Sequence, residues 1–151
     1  MTNGPRGDDR DEADMNTADV TNGPRGDDRD GTRVLVADDD DGYADALAHG
    51  LSLGGEVHVI GRAATAGEVV AATAALGPAA VVLDARMPGG SVDQTIDCIL
   101  AASPSTAVVV VSGLLGPRLR GRLAARGIVA VDKADGLAAI TTALRAAVDR
   151  G

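Results

Sequence analysis

Short apolar runs that end abruptly in polar residues constrain the fold of this chain more than any other feature. The clearest run is Val81-Val82-Leu83, which ends in Asp84 and is followed by the turn signal Pro88-Gly89-Gly90. A short apolar run bounded by turn signals is typical of a strand buried on both faces. A side chain just past the end of such a strand faces the crevice where open α/β sheets place their chemistry. We therefore predict that Asp84 is the reactive residue.

Three other apolar runs end in polar residues in the same way. They lead into Asp38-Asp39 after residues 34–37, into Ser112-Gly113 after residues 108–111, and into Asp132-Lys133 after residues 128–131. If the strands are parallel neighbours, their carboxyl ends meet at one edge of the sheet. The carboxylates, the hydroxyl and the ammonium are then expected to converge there.

From Arg33 onward the pattern alternates between strand and helix. Residues 56–60 alternate like a half-exposed strand. The predicted helices run from Gly42 to Leu53 with Asp41 as the cap, from Gly67 to Leu76, from about Val92 to Ser103, from Pro117 to Ala125, and through a final stripe of Leu137, Ile140, Leu144 and Val148. Five strands and five helices joined by short connections predict an α/β fold, a doubly wound five-stranded parallel sheet covered on both faces.

The first 31 residues have a different character. The ten-residue segment from Thr2 to Asp11 recurs unchanged from Thr21 to Asp30, and it is rich in Gly, Pro and Asp. Such a segment offers little apolar area to bury, which is typical of disorder. We predict a disordered acidic tail over residues 1–31 and a globular domain over residues 32–151.

Composition excludes several classes of function. The net charge of −8 argues against non-specific binding of nucleic acid. No stretch has the length and apolarity of a membrane span, and no signal peptide opens the chain. The single cysteine cannot form an internal disulfide, so a reducing cytoplasm is the simplest compartment.

Each polar feature also has a purely structural interpretation. A run of four aspartates, residues 38–41, is often a solvated loop and helix cap, although Asp40 and Asp41 alone could serve that purpose. Ser112-Gly113 alone is typical of a turn. Lys133 is more specific, because it is the only lysine among fourteen basic residues. The predicted fourth helix is basic and is interpreted first as a solvated face and second as a partner surface; its arginines are Arg118, Arg120, Arg122 and Arg126.

Taken together, residues 33–150 resemble the receiver domain of two-component response regulators. The resemblance rests on Asp38-Asp39, the Asp84-x-x-Met87-Pro88 loop, Ser112-Gly113 and Lys133, in that order at successive strand ends. The sequence around Asp84 and Lys133 is most similar to receivers that precede a LuxR-type helix-turn-helix. The resemblance implies a CheY-like, flavodoxin-like strand order of 2-1-3-4-5.

The resemblance also implies a site. Asp84 would accept a phosphoryl group with Mg²⁺ as cofactor, held by Asp39, Asp84 and the backbone carbonyl of Arg86, with Asp38 holding a coordinated water. Ser112 and Lys133 would bind phosphoryl oxygens. Receivers commonly carry Tyr or Phe three residues before the lysine, where Ala130 stands here, so we expect a weaker conformational switch.

The implied partners are those of a signalling protein rather than of a classical enzyme, since the domain would catalyse only its own phosphorylation and dephosphorylation. The phosphoryl donor would be a histidine kinase or a phosphotransfer protein. The output would pass to a downstream protein or to a C-terminal output domain that this chain lacks, with a weak homodimer as a further partner to test. Direct contact with nucleic acid or a membrane is not expected.

Two alternatives remain open from the sequence. Asp39 and Asp41 also resemble the first motif of haloacid-dehalogenase-type phosphatases, as nucleophile and general acid, but that class needs a later acidic pair and leaves Asp84 without a role. The second alternative, suggested by Ala130, is a receiver-like binding module that is not phosphorylated.

Overall fold

The computed structural model describes residues 31–150. The predicted tail, residues 1–31, therefore lies outside the described residues except for Gly31. The strands are β1 (Thr32–Ala37), β2 (Val57–Ala63), β3 (Ala80–Asp84), β4 (Ala107–Ser112) and β5 (Val129–Asp132). The helices are α1 (Asp41–Leu53), α2 (Ala66–Leu76), α3 (Val92–Ala102), α4 (Pro117–Ala125) and α5 (Gly136–Arg150), with a 3₁₀ turn at Lys133–Asp135.

The strands form one parallel sheet in the order β2-β1-β3-β4-β5. This order and the five helices confirm the predicted α/β doubly wound sheet of the flavodoxin-like type. The strand order changes direction at β1, because β2 lies on one side of it and β3 on the other, which creates a crevice beyond the carboxyl ends of β1 and β3.

The sheet separates two aliphatic cores. Alternate residues of the central strands point to opposite faces, as the twofold period of a strand requires. One face packs against α1 and α5, with Val34, Val82, Leu47, Ile140 and Leu144 among its buried residues. The other face packs against α2, α3 and α4, with Leu35, Leu83, Val69, Ile99 and Leu123 among its buried residues.

Two boundaries differ from the sequence prediction. Asp40 rather than Asp41 caps α1, because its side chain accepts a hydrogen bond from the backbone N–H of Tyr43. Strand β2 continues to Ala63 instead of ending at Ile60, through an irregularity at which Val34 pairs with Val59 but Leu35 pairs with Gly61. The extra residue disturbs the alternation on which the sequence prediction rested.

The loop after β3 is docked against the start of α2. The backbone N–H of Ala66 donates to the carbonyl of Pro88 at 2.9 Å. Gly89 has φ of +102°, and a Cβ there would lie 3.4 Å from the Cβ of Ala66. Glycine therefore allows the backbone conformation, while buried Met87 anchors the loop in the core.

Within residues 31–150, every helix is too short or too polar to cross a bilayer.

Candidate functional site

Strand register brings the predicted site residues to one edge of the sheet. Ala37 of β1 pairs with Leu83 of β3, so the residues that follow them, Asp38 and Asp84, are neighbours. On the other side of β3, Ser112 of β4 pairs with Asp132 of β5, directly before Lys133. The structure thus brings together residues that are far apart in sequence.

Asp38 joins three elements of the fold. Its side chain is only 2% exposed, and its Oδ2 accepts a hydrogen bond from Lys133 Nζ at 2.7 Å. Its Oδ1 accepts a hydrogen bond from the backbone N–H of Asp40 at 2.9 Å, at the start of α1. Because a buried charge needs partners, these two bonds fix the Asp38 carboxylate at the end of β1.

Asp84 lies beside Asp38, and its contacts with its partners are longer. Its side chain is 7% exposed, its Oδ1 is 3.7 Å from Lys133 Nζ, and the same oxygen accepts a long hydrogen bond of 3.3 Å from the backbone N–H of Arg86. Burial raises the pKa of Asp84, and the negative charge of Asp38 raises it further, against the opposing effect of Lys133. Asp84 is therefore a carboxylate whose negative charge is incompletely balanced.

Lys133 is surrounded by groups that favour its charge. Burial by itself would lower the pKa of this ammonium, but the hydrogen bond to Asp38 and the charge of Asp84 together raise it above its ordinary value. Lys133 Nζ also lies 4.2 Å from the centre of the Tyr43 ring. Lys133 thus remains a cation over the whole physiological pH range.

The third carboxylate, Asp39, is exposed at the mouth of the crevice. One oxygen from each of Asp38, Asp39 and Asp84 can be chosen so that all three lie within 4.8 Å of one another. Hard carboxylate oxygens are the ligands that Mg²⁺ prefers. A divalent cation would also balance the neighbouring negative charge that helps to raise the pKa of Asp84. These residues could hold a divalent metal ion.

Ser112 and Ala130 occupy the β4 and β5 sides of the site. Ser112 is buried, and its Oγ accepts a hydrogen bond from the backbone N–H of Leu114 at 3.2 Å, which leaves the hydroxyl hydrogen available to another acceptor. Ala130 lies in β5 and packs its methyl group against the core on the α2, α3 and α4 face. Arg86 is exposed.

Tyr43 is not among the predicted site residues, because its spacing from Leu47 and Leu51 indicates the core face of α1. The ring does lie partly against that core, but its outer side contacts the Lys133 ammonium. No spacing rule connects positions 43 and 133, because their proximity depends on how α1 packs beside α5, which follows Lys133. The only available signal was that Tyr43 is the sole aromatic residue of the chain.

The solved structures to which this chain is similar include receiver domains of response regulators. The chain is 25% identical to the signal receiver domain of the response regulator NarL from Mycobacterium tuberculosis, with a TM-score of 0.73 over 80% of this chain and 98% of that one. It is 22% identical to the response regulator domain of CheB from Thermotoga maritima, with a TM-score of 0.70 over 79% and 97% of the two chains.

A third similar structure is a Burkholderia pseudomallei response regulator determined with a phosphorylated aspartic acid, a calcium ion and citrate. It is 21% identical, with a TM-score of 0.67 over 79% of this chain and 69% of that one. No protein-family model matches the sequence, and no curated protein matches it either. The similarity is thus one of three-dimensional structure, and the chain has the fold of these receiver domains.

Proposed function

We propose that this chain, which has the receiver fold, accepts a phosphoryl group on Asp84 and signals through the resulting change in charge. The observation that carries the proposal is the convergence of Asp38, Asp39, Asp84 and Lys133 at one edge of the sheet. Asp84 is the member of this group with an incompletely balanced charge, which suits a nucleophile.

The proposed reaction moves the phosphoryl group between two nucleophiles. An oxygen of Asp84 forms a bond to phosphorus while the bond from phosphorus to the donor's histidine nitrogen breaks, and the donor imidazole keeps the electron pair of that bond. Hydrolysis later restores Asp84: a water oxygen forms a bond to phosphorus while the bond from phosphorus to the Asp84 oxygen breaks, and inorganic phosphate leaves the free carboxylate behind. The donor would be a histidine kinase or a phosphotransfer protein.

Mg²⁺ would be held by Asp39, Asp84 and the backbone carbonyl of Arg86, with Asp38 on a coordinated water. When bound, it would supply positive charge that offsets the repulsion between Asp84 and the incoming phosphoryl oxygens. Lys133 would provide a second positive charge, since its Nζ already lies 3.7 Å from Asp84 Oδ1. The free hydrogen of the Ser112 hydroxyl would turn towards a phosphoryl oxygen.

The phosphorylated domain would act on other proteins rather than on nucleic acid or a membrane. Phosphorylation adds negative charge beside Lys133 and β5, and this change would bias the surface made by α4, β5 and α5. The reader of that surface would be a downstream protein or an output domain, and a weak homodimer is a further candidate. We place this signalling in the cytoplasm.

The test is the intact mass of the protein after incubation with a small phosphoryl donor, with and without Mg²⁺. We expect a gain of one labile phosphoryl group that requires Mg²⁺ and disappears in Asp84→Asn. The matched control is Asp135→Asn, which removes an exposed carboxylate two residues after Lys133.

The same experiment separates the alternatives. A gain that survives in Asp84→Asn and disappears in Asp39→Asn would identify a phosphatase-type nucleophile at Asp39. No gain in any variant, with the fold intact, would favour a binding module that is not phosphorylated, for which the small Ala130 is the supporting observation.

A further inference from the structure

The aromatic ring of Tyr43 completes a closed series of contacts that begins and ends at Lys133. Lys133 Nζ donates to Asp38 Oδ2, and Asp38 Oδ1 accepts from the backbone N–H of Asp40. Asp40 Oδ1 in turn accepts from the backbone N–H of Tyr43 at 3.1 Å. Because Tyr43 lies in the first turn of α1, these contacts fix the position of its backbone relative to the site.

The ring meets the ammonium at a distance typical of attraction between a cation and an aromatic face. Lys133 Nζ lies 4.2 Å from the ring centre, well inside the range of roughly 6 Å over which such contacts are effective. The Lys133 side chain is 22% exposed, so part of its solvation has been replaced by the ring and the carboxylates. The ring of Tyr43 is therefore a third contact of the ammonium, in addition to the two carboxylates.

We propose that Tyr43 is a positioning residue that holds the Lys133 ammonium within reach of Asp84. Lysine has a flexible four-carbon stem, and Asp38 at 2.7 Å draws its ammonium more closely than Asp84 at 3.7 Å does. The ring restricts that stem and keeps Nζ between the two carboxylates. Insofar as it concerns the reaction at Asp84, this role rests on the proposed function.

The ring rather than the hydroxyl would perform this role, because the attraction comes from the aromatic face. Tyr43→Phe should preserve it, whereas Tyr43→Leu keeps much of the apolar bulk and removes the aromatic face. The matched control is Leu47→Val, which trims a buried residue one turn further along α1 on the same core face. It should lower stability without moving Lys133.

Lys133 is the only lysine in the chain, so labelled lysine gives a single set of side-chain signals in NMR. We expect the protons on the carbon next to Nζ to be shifted upfield by the ring current in the wild type, Tyr43→Phe and Leu47→Val, and to return to ordinary values in Tyr43→Leu. This measurement needs neither Mg²⁺ nor a phosphoryl donor, so it tests the position of Lys133 independently of the proposed function.

The second measurement is the initial rate of phosphorylation by a small donor at saturating Mg²⁺, at a temperature where all variants are folded. Tyr43→Leu should be slower by roughly threefold to tenfold, the range expected from losing one cation–aromatic contact. Tyr43→Phe and Leu47→Val should stay within about twofold of the wild type. An unshifted Lys133 signal in the wild type, a wild-type rate in Tyr43→Leu, or equal losses in the Phe and Leu variants would overturn the proposal.

If the proposed phosphorylation of Asp84 did not occur, the results would differ from those that would overturn the role of Tyr43. If the wild type gained no phosphoryl group, the assignment of Asp84 would be wrong. The NMR comparison would still decide whether Tyr43 positions Lys133, because it is made on the protein before any reaction.

Discussion

At the scale of single residues, the site places the carboxylates of Asp38 and Asp84 next to each other in a buried position, where negative charge is unfavourable. Burial raises the pKa of Asp84 first, and the neighbouring charge of Asp38 raises it further. Lys133 offsets only part of this, because its closer partner is Asp38. The ionised Asp84 side chain therefore destabilises the metal-free protein.

Asp84→Asn should accordingly stabilise the metal-free protein at neutral pH. The amide has nearly the same shape and carries no charge, so the repulsion from Asp38 disappears. We expect the free energy of unfolding in urea, with a chelator present, to rise above that of the wild type. Asp135→Asn should leave it within about 0.5 kcal/mol of the wild type. A loss of stability in Asp84→Asn would contradict this account.

The stabilisation expected from Asp84→Asn should also depend on pH. A raised pKa in the folded state means that ionisation of Asp84 is less favourable in the folded than in the unfolded chain. The free energies of unfolding of the variant and the wild type should therefore differ least below pH 3.8, the ordinary pKa of this group. At such pH values Asp84 is protonated in both the folded and the unfolded chain. The difference between the two proteins should grow as the pH rises through the folded pKa and then stay constant. Urea unfolding of both proteins over a series of pH values measures it, and a constant difference would refute the explanation.

At the scale of elements, an ion-pair network joins α3 to α4. Arg122 donates to Asp93 Oδ2 at 2.8 Å, and Arg126 donates to Asp93 Oδ1 at 3.1 Å and also to Asp97. The hydrogen bond from Arg122 is the main reason that the pKa of Asp93 lies below its ordinary value. Arg122 of α4 and Arg126 directly after it are thus paired with α3, which the interpretation of the basic helix as a solvated face did not anticipate.

This network should contribute modestly to stability, because its members remain largely exposed. A double-mutant cycle of Asp93→Asn with Arg122→Gln should give a coupling energy of about 0.5 kcal/mol at low salt. The coupling should become much smaller near 1 M salt, where charges are screened over about 3 Å. It should also disappear as the pH falls through the lowered pKa of Asp93. A coupling that is unaffected by salt would mean that packing, rather than charge, links α3 to α4.

Gly89 should be the least replaceable residue of the loop between β3 and α3. An alanine there must adopt φ near +102° and place its Cβ 3.4 Å from that of Ala66. We expect Gly89→Ala to lower the free energy of unfolding by about 1–3 kcal/mol. The control is Gly90→Ala, whose nearest contact would be 3.6 Å from Gln94 Oε1 and which should change stability much less. Similar losses in both variants would show that Gly89 has no special conformational role.

The sequence predicts most of what depends on strand ends and little of what depends on helix packing. Asp38, Asp84, Ser112 and Lys133 could be found because an apolar run followed by a polar residue marks the carboxyl end of a buried strand. The contact of Tyr43 with Lys133 could not be found, because it depends on how helix and sheet elements distant in sequence pack together.

Boundaries were less predictable for a related reason. Asp40 and Asp41 are equally good caps by residue type, and the hydrogen bond from Asp40 N–H to Asp38 helps to set the start of α1. The irregular register of β2 beside Leu35 likewise follows from pairing with β1, so the alternation within residues 56–60 could not reveal it. Tertiary pairing decides such details.

At the scale of the whole molecule, the site joins the carboxyl ends of β1 and β3 to the start of α1 and to the turn after β5. Metal binding there should therefore stabilise the entire domain. At a Mg²⁺ concentration about ten times the dissociation constant, the free energy of unfolding should rise by about 1.4 kcal/mol. Asp39→Asn should lose most of this increase, and Asp135→Asn should retain it. Equal stabilisation of Asp39→Asn and the wild type would place the ion elsewhere. Thermal unfolding with and without Mg²⁺ measures these differences.

Tyr43 has a consequence for the optical spectroscopy of the whole protein. The 151 residues include one tyrosine and no tryptophan or phenylalanine, so near-ultraviolet absorbance, fluorescence and circular dichroism all come from the ring that faces Lys133. The two aliphatic cores are invisible at these wavelengths. A titration followed in the near ultraviolet therefore reports changes at the site beside Lys133. Far-ultraviolet circular dichroism of the same sample reports whether the domain is folded.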